Sequence, residues 1–315
     1  MTDIITLGEL LIDFTACGKN KQGQRLFAQN PGGAPANVAV AVARLGGKSA
    51  FIGKVGNDMH GKFLKSTLEE NHVRCDHLIL DDSHFTTLAF VDVGADGERE
   101  FSFARKHGAD KMLCKSDVPV DEIKKCKIFH FGSVSMTDDP ARSATLFAAQ
   151  KAKESDVIVA YDPNYRASLW ENEDAAKLYM RQALCYADLV KISDEETSLL
   201  TDETDYQKAA ERLVENGVKI AVVTLGKDGA YVCTKNGGVR VDGFTANAVD
   251  CTGAGDSFWG AFLLKIAQSG KTPTELSLEE LSVFARFANA AASICVERNG
   301  AIPSLPVIKD IEKRL

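Results

Sequence analysis

The sequence predicts an α/β protein: a doubly wound, mostly parallel sheet with helices on both faces and a small β-sheet beside it. Three observations lead there. Short apolar, β-rich runs recur with helical segments between them, the order of repeated βαβ units. Polar residues follow the ends of successive apolar runs, which is where open α/β sheets bind ligands. Two stretches, 15–31 and 84–105, break the rhythm and read as extended chain outside it.

The elements follow in order. Residues 3–14, DIITLGELLIDF, begin as a strand. Residues 35–46, PANVAVAVARLG, carry a proline near the start, an Ala/Val-rich helical pattern, and Gly46-Gly47 as a stop. SAFIGKVG (49–56) is a strand and 60–73 an amphipathic helix. Short apolar strands are expected at 127–133, 156–163, 187–193 and 220–226, with helices at 140–154, 172–184 and 204–216 between them. The last third contains two helices, 253–269 and 278–297, with no strong strand between. In 84–105 the pattern alternates, and Asp96-Gly97 is a hairpin turn signal. With 15–31 it reads either as a small antiparallel sheet that projects from the body and covers a cleft, or as a surface hairpin without function.

Composition bounds the function. The chain has 315 residues with 45% hydrophobic and 26% charged, an ordinary globular balance. It is read as one domain, 1–315. Net charge is −7, which argues against broad nucleic-acid or anionic-membrane binding. No apolar run reaches membrane-span length, and the start reads directly as a strand with an acid at position 3. A cytoplasmic protein is expected. Eight cysteines show no CxxC pair, and Cys185, Cys233 and Cys295 lie in apolar runs, so buried thiols in a reducing compartment are expected. Six scattered histidines form no HxxxH or HExxH, so no protein-built zinc site is expected.

Nucleotide motifs are mostly excluded. There is no GxxxxGK[ST] loop, and neither GGAPAN nor GAG at 253–255 has the spacing of a GxGxxG fingerprint. No protein-kinase HRD or DFG set is present. One stretch remains: DCTGAGDSF, residues 250–258, ahead of an apolar helical run. Gly253 and Gly255 permit a tight turn with N–H groups pointing one way, and the helix N-terminus adds unsatisfied donors. That arrangement can hold a phosphoryl group as charge builds on its oxygens. Asp256 beside it reads either as a general base for an attacking hydroxyl or as a first-turn helix acid. Other candidates at expected strand ends are Asp13, Gly32-Gly33, Asn37, Asp162, Asn164, Arg166, Glu196 and the loop Gly226 to Gly229. Each also has a plain reading as a turn, cap or surface ion pair. Asn289 sits on an alanine-rich face that suits close helix packing or a flat adenine surface.

These residues carry a recognisable pattern. PGGAPANVAVAVARLGG (31–47), FIGKVGND (51–58) and DCTGAGDSFWGAF (250–262) frame DGEREFSF (96–103), FHFGSVSM (129–136), YDPNYR (161–166), VKISDEE (190–196) and VTLGKDGA (223–230). The chain thereby resembles the ribokinase-like (PfkB-type) carbohydrate kinases, and among them the fructokinases, over nearly its whole length. The resemblance implies a doubly wound body with a small β-lid formed by about 14–31 and 84–107. It implies ATP-dependent phosphorylation of a sugar hydroxyl, the 6-hydroxyl for fructose. Related activities are kinases for ribose, 2-keto-3-deoxygluconate or a nucleoside or aminoimidazole riboside; a non-catalytic sugar- or nucleotide-sensing module is the alternative of another class.

By the same resemblance, Asp256 looks like the catalytic base and Gly253, Ala254 and Gly255 like the anion hole. Asp13, Gly33 and Asn37 resemble the sugar-binding set, with Arg105 and Arg166 near sugar and transferred phosphate. Lys191, Ser193, Thr224, Gly226, Gly229 and Asn289 resemble the nucleotide side. Glu196 is similar to the acid associated with magnesium through water. Ser193 stands where relatives often have asparagine, and Cys251 where many have threonine or serine; the Cys251 side chain is not expected to matter to the cleft. Asp250, Thr252, Cys295, Arg298, Gly300 and Ser304 match positions around a monovalent cation, which the resemblance implies to be K+. ATP, Mg2+ and a sugar are thus the implied ligands; a lid that serves as a homodimer interface while still covering the site is a separate alternative.

Overall fold

The computed structural model describes residues 2–93 and 99–315. The hairpin turn signal Asp96-Gly97, and the start of the motif at 96–103, lie outside the described residues. Thirteen strands are seen among those described: β1 Ile4–Leu7, β2 Leu11–Lys19, β3 Arg25–Gly32, β4 Ser49–Gly56, β5 Arg74–Asp81, β6 Leu88–Val93, β7 Arg99–Ala104, β8 Ile128–Gly132, β9 Ile158–Asp162, β10 Leu189–Ser193, β11 Ile220–Thr224, β12 Ala230–Thr234 and β13 Gly237–Val241.

The main sheet has the order β13-β12-β11-β10-β9-β8-β1-β4-β5. All neighbours from β11 to β5 are parallel; β12 alone runs against them, pairing antiparallel with both β11 and β13. From β1 the chain builds outward to β4 and β5, then returns to β8 on the other side of β1. The strand order therefore reverses between β1 and β8, and a crevice opens beyond their C-terminal ends.

Apolar runs on both faces explain why this sheet is buried. On β11, Val222 enters one core and its neighbour Val223 the other, as a period-two strand demands. One core is closed by helices Ala141–Lys153, Glu173–Ala183 and Tyr206–Glu215. The other is closed by helices Ala34–Arg44, Ala254–Ser269 and Leu278–Cys295. The first and second of these last three cross closely at Gly260. A Cβ there would lie 2.7 Å from Ala41 Cβ and 3.0 Å from the Val38 carbonyl oxygen. The Ala/Val-rich pattern of 35–46 is thus the surface of a tight helix–helix contact.

The second sheet has the order β3-β2-β6-β7. It is mixed rather than purely antiparallel, because β2 and β6 pair in parallel from Ile12↔Leu88 to Thr15↔Val91. A hairpin and a separate excursion of the chain meet side by side, and nothing in the alternation reveals the relative direction of two such segments. The sheet spans 11–32 and 88–104, wider at its first segment than expected and narrower at its second. Residues 84–87 and 105–107 are its roots. Two strand regions not anticipated are β5 and the β12–β13 hairpin.

One cysteine expectation is corrected. All eight thiols are free, with Cys233 and Cys295 buried, but Cys185 is exposed because it lies in the short turn after helix Glu173–Ala183. Cys251 is also exposed. Among the described residues, no helix is long and apolar enough to cross a membrane.

Candidate active site

A cleft of about 590 Å³ lies where the strand ends of the main sheet face the second sheet. Leu11, Asp13 and Phe103 line it from the second sheet; Lys191, Ser193 and Thr224 from the ends of β10 and β11; Gly253, Gly255 and Asp256 from the start of helix Ala254–Ser269.

The glycine turn is built as its residues suggest. Gly253 is left-handed at φ 82° and precedes the helix without a side-chain cap. A Cβ there would come 3.1 Å from Ala301 Cα, so both backbone angle and space call for glycine. Ala254 N–H is spent on the Cys251 carbonyl. Among the described residues, the N–H groups of Gly255 and Asp256 have no acceptor. They form the donor pair of an anion site at a helix N-terminus.

Asp256 sits in this first turn and is 7% exposed. Its Oδ2 accepts a 2.7 Å hydrogen bond from Asn37 Nδ2. Asn37 is on helix Ala34–Arg44, which meets Asp256's helix at Gly260, one turn further on. Burial, and next the Asp162 carboxylate, push the Asp256 carboxyl up to about 6; Asn37, Lys191 and Arg166 oppose that rise. At neutral pH it is mostly ionised, yet basic enough to take a proton.

The sugar-side residues are assembled in part. Gly33 (φ 117°) caps helix Ala34–Arg44, and a Cβ there would come 2.4 Å from the Glu9 carbonyl oxygen. Asp13 lines the cleft, but from within β2 of the second sheet rather than after β1. The residue that follows β1 toward the cleft is Glu9, which the sequence reading passed over. Glu9 is 4% exposed, accepts from Ala34 N at 3.0 Å through Oε1, and is pushed up to about 7, chiefly by burial. The signal was its place directly behind the first apolar run. Arg166 stands exposed on the cleft wall and donates to its own neighbour, the Tyr165 carbonyl.

Arg105 is not brought to the cleft. Its guanidinium donates from Nε to Asp110 Oδ2 (2.7 Å), from one amino group to Thr137 Oγ1 (2.7 Å) and from the other to the Val134 carbonyl (2.9 Å). It straps the root of the second sheet to the body.

The nucleotide-side residues divide likewise. Lys191, Ser193, Glu196, Thr224 and Gly226 line the cleft; Gly229 and Asn289 do not. Gly229 (φ 100°) closes a turn against β13, where a Cβ would meet the Val241 carbonyl oxygen at 2.1 Å. Asn289 donates to the carbonyls of Val241 and Asp242, clasping its helix to the end of β13. Glu196 bridges two strand-end loops: Oε1 accepts from Tyr165 N (2.6 Å) and Oε2 from Ser193 N (2.8 Å). Lys191 Nζ is 2.7 Å from Asp162 Oδ2, both side chains buried. Burial pulls this ammonium down, but Asp162, Glu196 and Asp256 outweigh it and its pKa is raised.

Behind the turn, Asp250 accepts from Thr252 N (2.7 Å) and Gly300 N (3.0 Å). Cys295 Sγ lies 2.9 Å from Ser304 Oγ, whose own proton goes to the Ala301 carbonyl. Asp250, Thr252, Cys295, Gly300 and Ser304 thus converge from two chain segments. The Arg298 side chain points away to Asp310 Oδ2 at 3.0 Å. Cys251, not expected to matter, lines the cleft.

A doubly wound sheet with a small covering sheet, an anion turn and an adjacent buried carboxylate define a phosphoryl-transferring kinase of small molecules. The chain belongs to the pfkB family of carbohydrate kinases, whose family model matches residues 1–308. It is 42% identical to a probable fructokinase-5 of Arabidopsis thaliana, over 98% of this chain and 96% of the relative. A Xylella fastidiosa fructokinase with bound ATP superposes with a TM-score of 0.91 at 33% identity, covering 99% of this chain and 98% of that one. A Vibrio cholerae O395 fructokinase double mutant, in a fructose-, ADP- and potassium-bound form, gives 0.89 at 33% identity, covering 100% and 98%.

Proposed function

We propose that this chain is an ATP-dependent fructokinase that transfers the γ-phosphoryl group to the 6-hydroxyl of D-fructose, with Asp256 as general base. The observation that carries the chemistry is the buried Asp256 carboxylate beside two unpartnered N–H groups in one helix turn. The fructokinases of similar sequence and fold support the choice of sugar.

Sugar enters between the strand ends and the second sheet, which acts as the lid. Asp13, Gly33 and Asn37 face its hydroxyls. Asn37 holds Oδ2 of Asp256 and leaves Oδ1 for the proton of the attacking hydroxyl. The proton passes to Asp256 as the oxygen bonds to phosphorus, and ADP leaves. The N–H groups of Gly255 and Asp256 stabilise the transferred oxygens, with the Lys191 ammonium beside them. Closure of the lid excludes water and limits ATP hydrolysis.

Two cations belong to the same reading. Glu196 and the Ser193 hydroxyl would hold Mg2+ through water; among the described residues each Glu196 oxygen accepts one N–H, which leaves lone pairs for that purpose. Mg2+ neutralises phosphate charge when bound. Asp250 and the oxygens of Thr252, Cys295, Arg298, Gly300 and Ser304 form an oxygen-rich donor set suited to K+, which would steady the turn from behind. Phe27 and Phe90 pack edge to face, partly exposed on the second sheet, and support a homodimer through it; sedimentation of wild type against a Phe27→Asp, Phe90→Asp double variant tests that.

The test of function is ADP release across fructose, ribose, 2-keto-3-deoxygluconate and aminoimidazole riboside, with the phosphorylated position fixed by NMR. Fructose preference with 6-phosphate product is expected. Preference for another sugar overturns the substrate, and no ADP release with any sugar overturns the enzyme.

A further inference from the structure

One ammonium lies among three carboxylates at the strand ends. Asp162 is the last residue of β9, and the parallel register Val190↔Tyr161 sets it beside Lys191 on β10. Both side chains are almost fully buried, and Lys191 Nζ is 2.7 Å from Asp162 Oδ2. The other side of the amine faces the anion turn: a Cβ on Gly255 would lie 3.6 Å from Nζ. Lys191 is therefore wedged between Asp162 and the place where a phosphoryl group would sit.

The Asp162 carboxyl does little else. Among the described residues, its one polar side-chain partner is the Lys191 ammonium at 2.7 Å. Among the described residues, it caps no helix and ties no loop. A carboxylate at 2% exposure is costly unless its partner compensates it. Its place in the molecule is explained by Lys191 and by what Lys191 faces.

We propose that Asp162 is a positioning residue for phosphoryl transfer: it aims the Lys191 ammonium at the glycine turn and sets the field in which Asp256 works. This rests on the reading of Asp256 as the base. The groups facing Asp256 are Asp162 from β9, Arg166 from the following loop, Lys191 from β10, Asn37 from helix Ala34–Arg44 and Cys295 from helix Leu278–Cys295. Of these charged neighbours, the Asp162 carboxylate makes Asp256 more basic, while Lys191 and Arg166 make it less so. Replacing Asp162 with asparagine removes the first and leaves the Lys191 charge compensated only by Glu196 and Asp256. Both changes act in one direction.

The experiment is the pH profile of kcat/KM for the sugar in Asp162→Asn. Its acid limb is expected to move to lower pH by at least about half a unit, with kcat at pH 8 down about tenfold or more. A merely structural role lowers thermal stability and leaves the limb in place; an unmoved or raised limb overturns the proposal. Asp162→Glu keeps the charge while displacing the amine, and guards against a variant that does not fold. It is expected to keep the wild-type limb and lose kcat; wild-type kcat in it also overturns the proposal. Asp256→Asn run alongside separates the two readings. Near-normal turnover there removes the base itself, whereas abolished turnover there with an unmoved limb in Asp162→Asn removes only the role of Asp162.

Discussion

Asn37 and Asp256 are 219 positions apart in sequence, and their side chains meet at 2.7 Å in the floor of the cleft. The pair joins the two stretches of sequence most typical of the family. It also converts a helix-packing contact into catalytic geometry, because the two helices that carry it touch at Gly260.

The pH dependence of turnover follows from this pair. Asp256 must be ionised to accept a proton, and its carboxyl lies at about 6. kcat/KM is expected to rise with pH through an acid limb near 6. In Asn37→Ala the limb moves to higher pH, since the lost hydrogen bond favoured the ionised form. A bond to a charged group is worth about 1.5–3 kcal/mol, so a displacement of about one to two units is expected. Steady-state rates between pH 5 and 9 measure it.

Gly260→Ala tests the packing link. The added methyl would meet Ala41 Cβ at 2.7 Å and the Val38 carbonyl at 3.0 Å. The helices must separate, at a cost of about 1–3 kcal/mol. A lowered Tm together with a fall in kcat larger than the change in sugar KM is expected, as the Asn37–Asp256 bond lengthens.

Glu9→Gln tests the electrostatics of the cleft wall. Burial raises the Glu9 carboxyl from 4.5 to about 7, so the native state holds its proton longer than the unfolded chain does. Stability from this group is full below pH 4.5 and is lost as pH rises to about 7. Glutamine keeps an acceptor for Ala34 N without the charge. The variant is expected to match wild type near pH 4.5 and exceed it above pH 7, by up to about 3 kcal/mol. Urea denaturation at the two pH values reads the difference; a variant less stable at high pH contradicts it.

Much of the body was legible because its strands are short apolar runs buried on both faces. β4 matches its expected bounds, Ser49–Gly56. β5 was missed because its edge position lets it carry Arg74, Asp76 and His77 among its apolar residues. The β12–β13 hairpin was missed although Asn236-Gly237, a strong hairpin signal, is present; it straddles the end of the Lys235-Asn236 turn and the start of β13. The anion turn and Asp256 were legible because glycine spacing and a helix start are local properties. Arg105 and Asn289 were not, because the direction of a long polar side chain depends on partners far along the chain. Arg105 found Asp110, Thr137 and Val134; Asn289 found the end of β13. Glu9 takes its role from burial, which no motif announces; Asp162 was legible as a strand-end acid, but its pairing with Lys191 depends on the register of two strands.

Asp256→Asn tests the central claim most directly. Fructose-dependent ADP formation is measured at pH 8 in wild type and variant, with nucleotide binding followed by calorimetry. Turnover is expected to fall by about 10² to 10⁴ with nucleotide affinity unchanged, the range for loss of a general base. Turnover within about threefold of wild type would contradict the account.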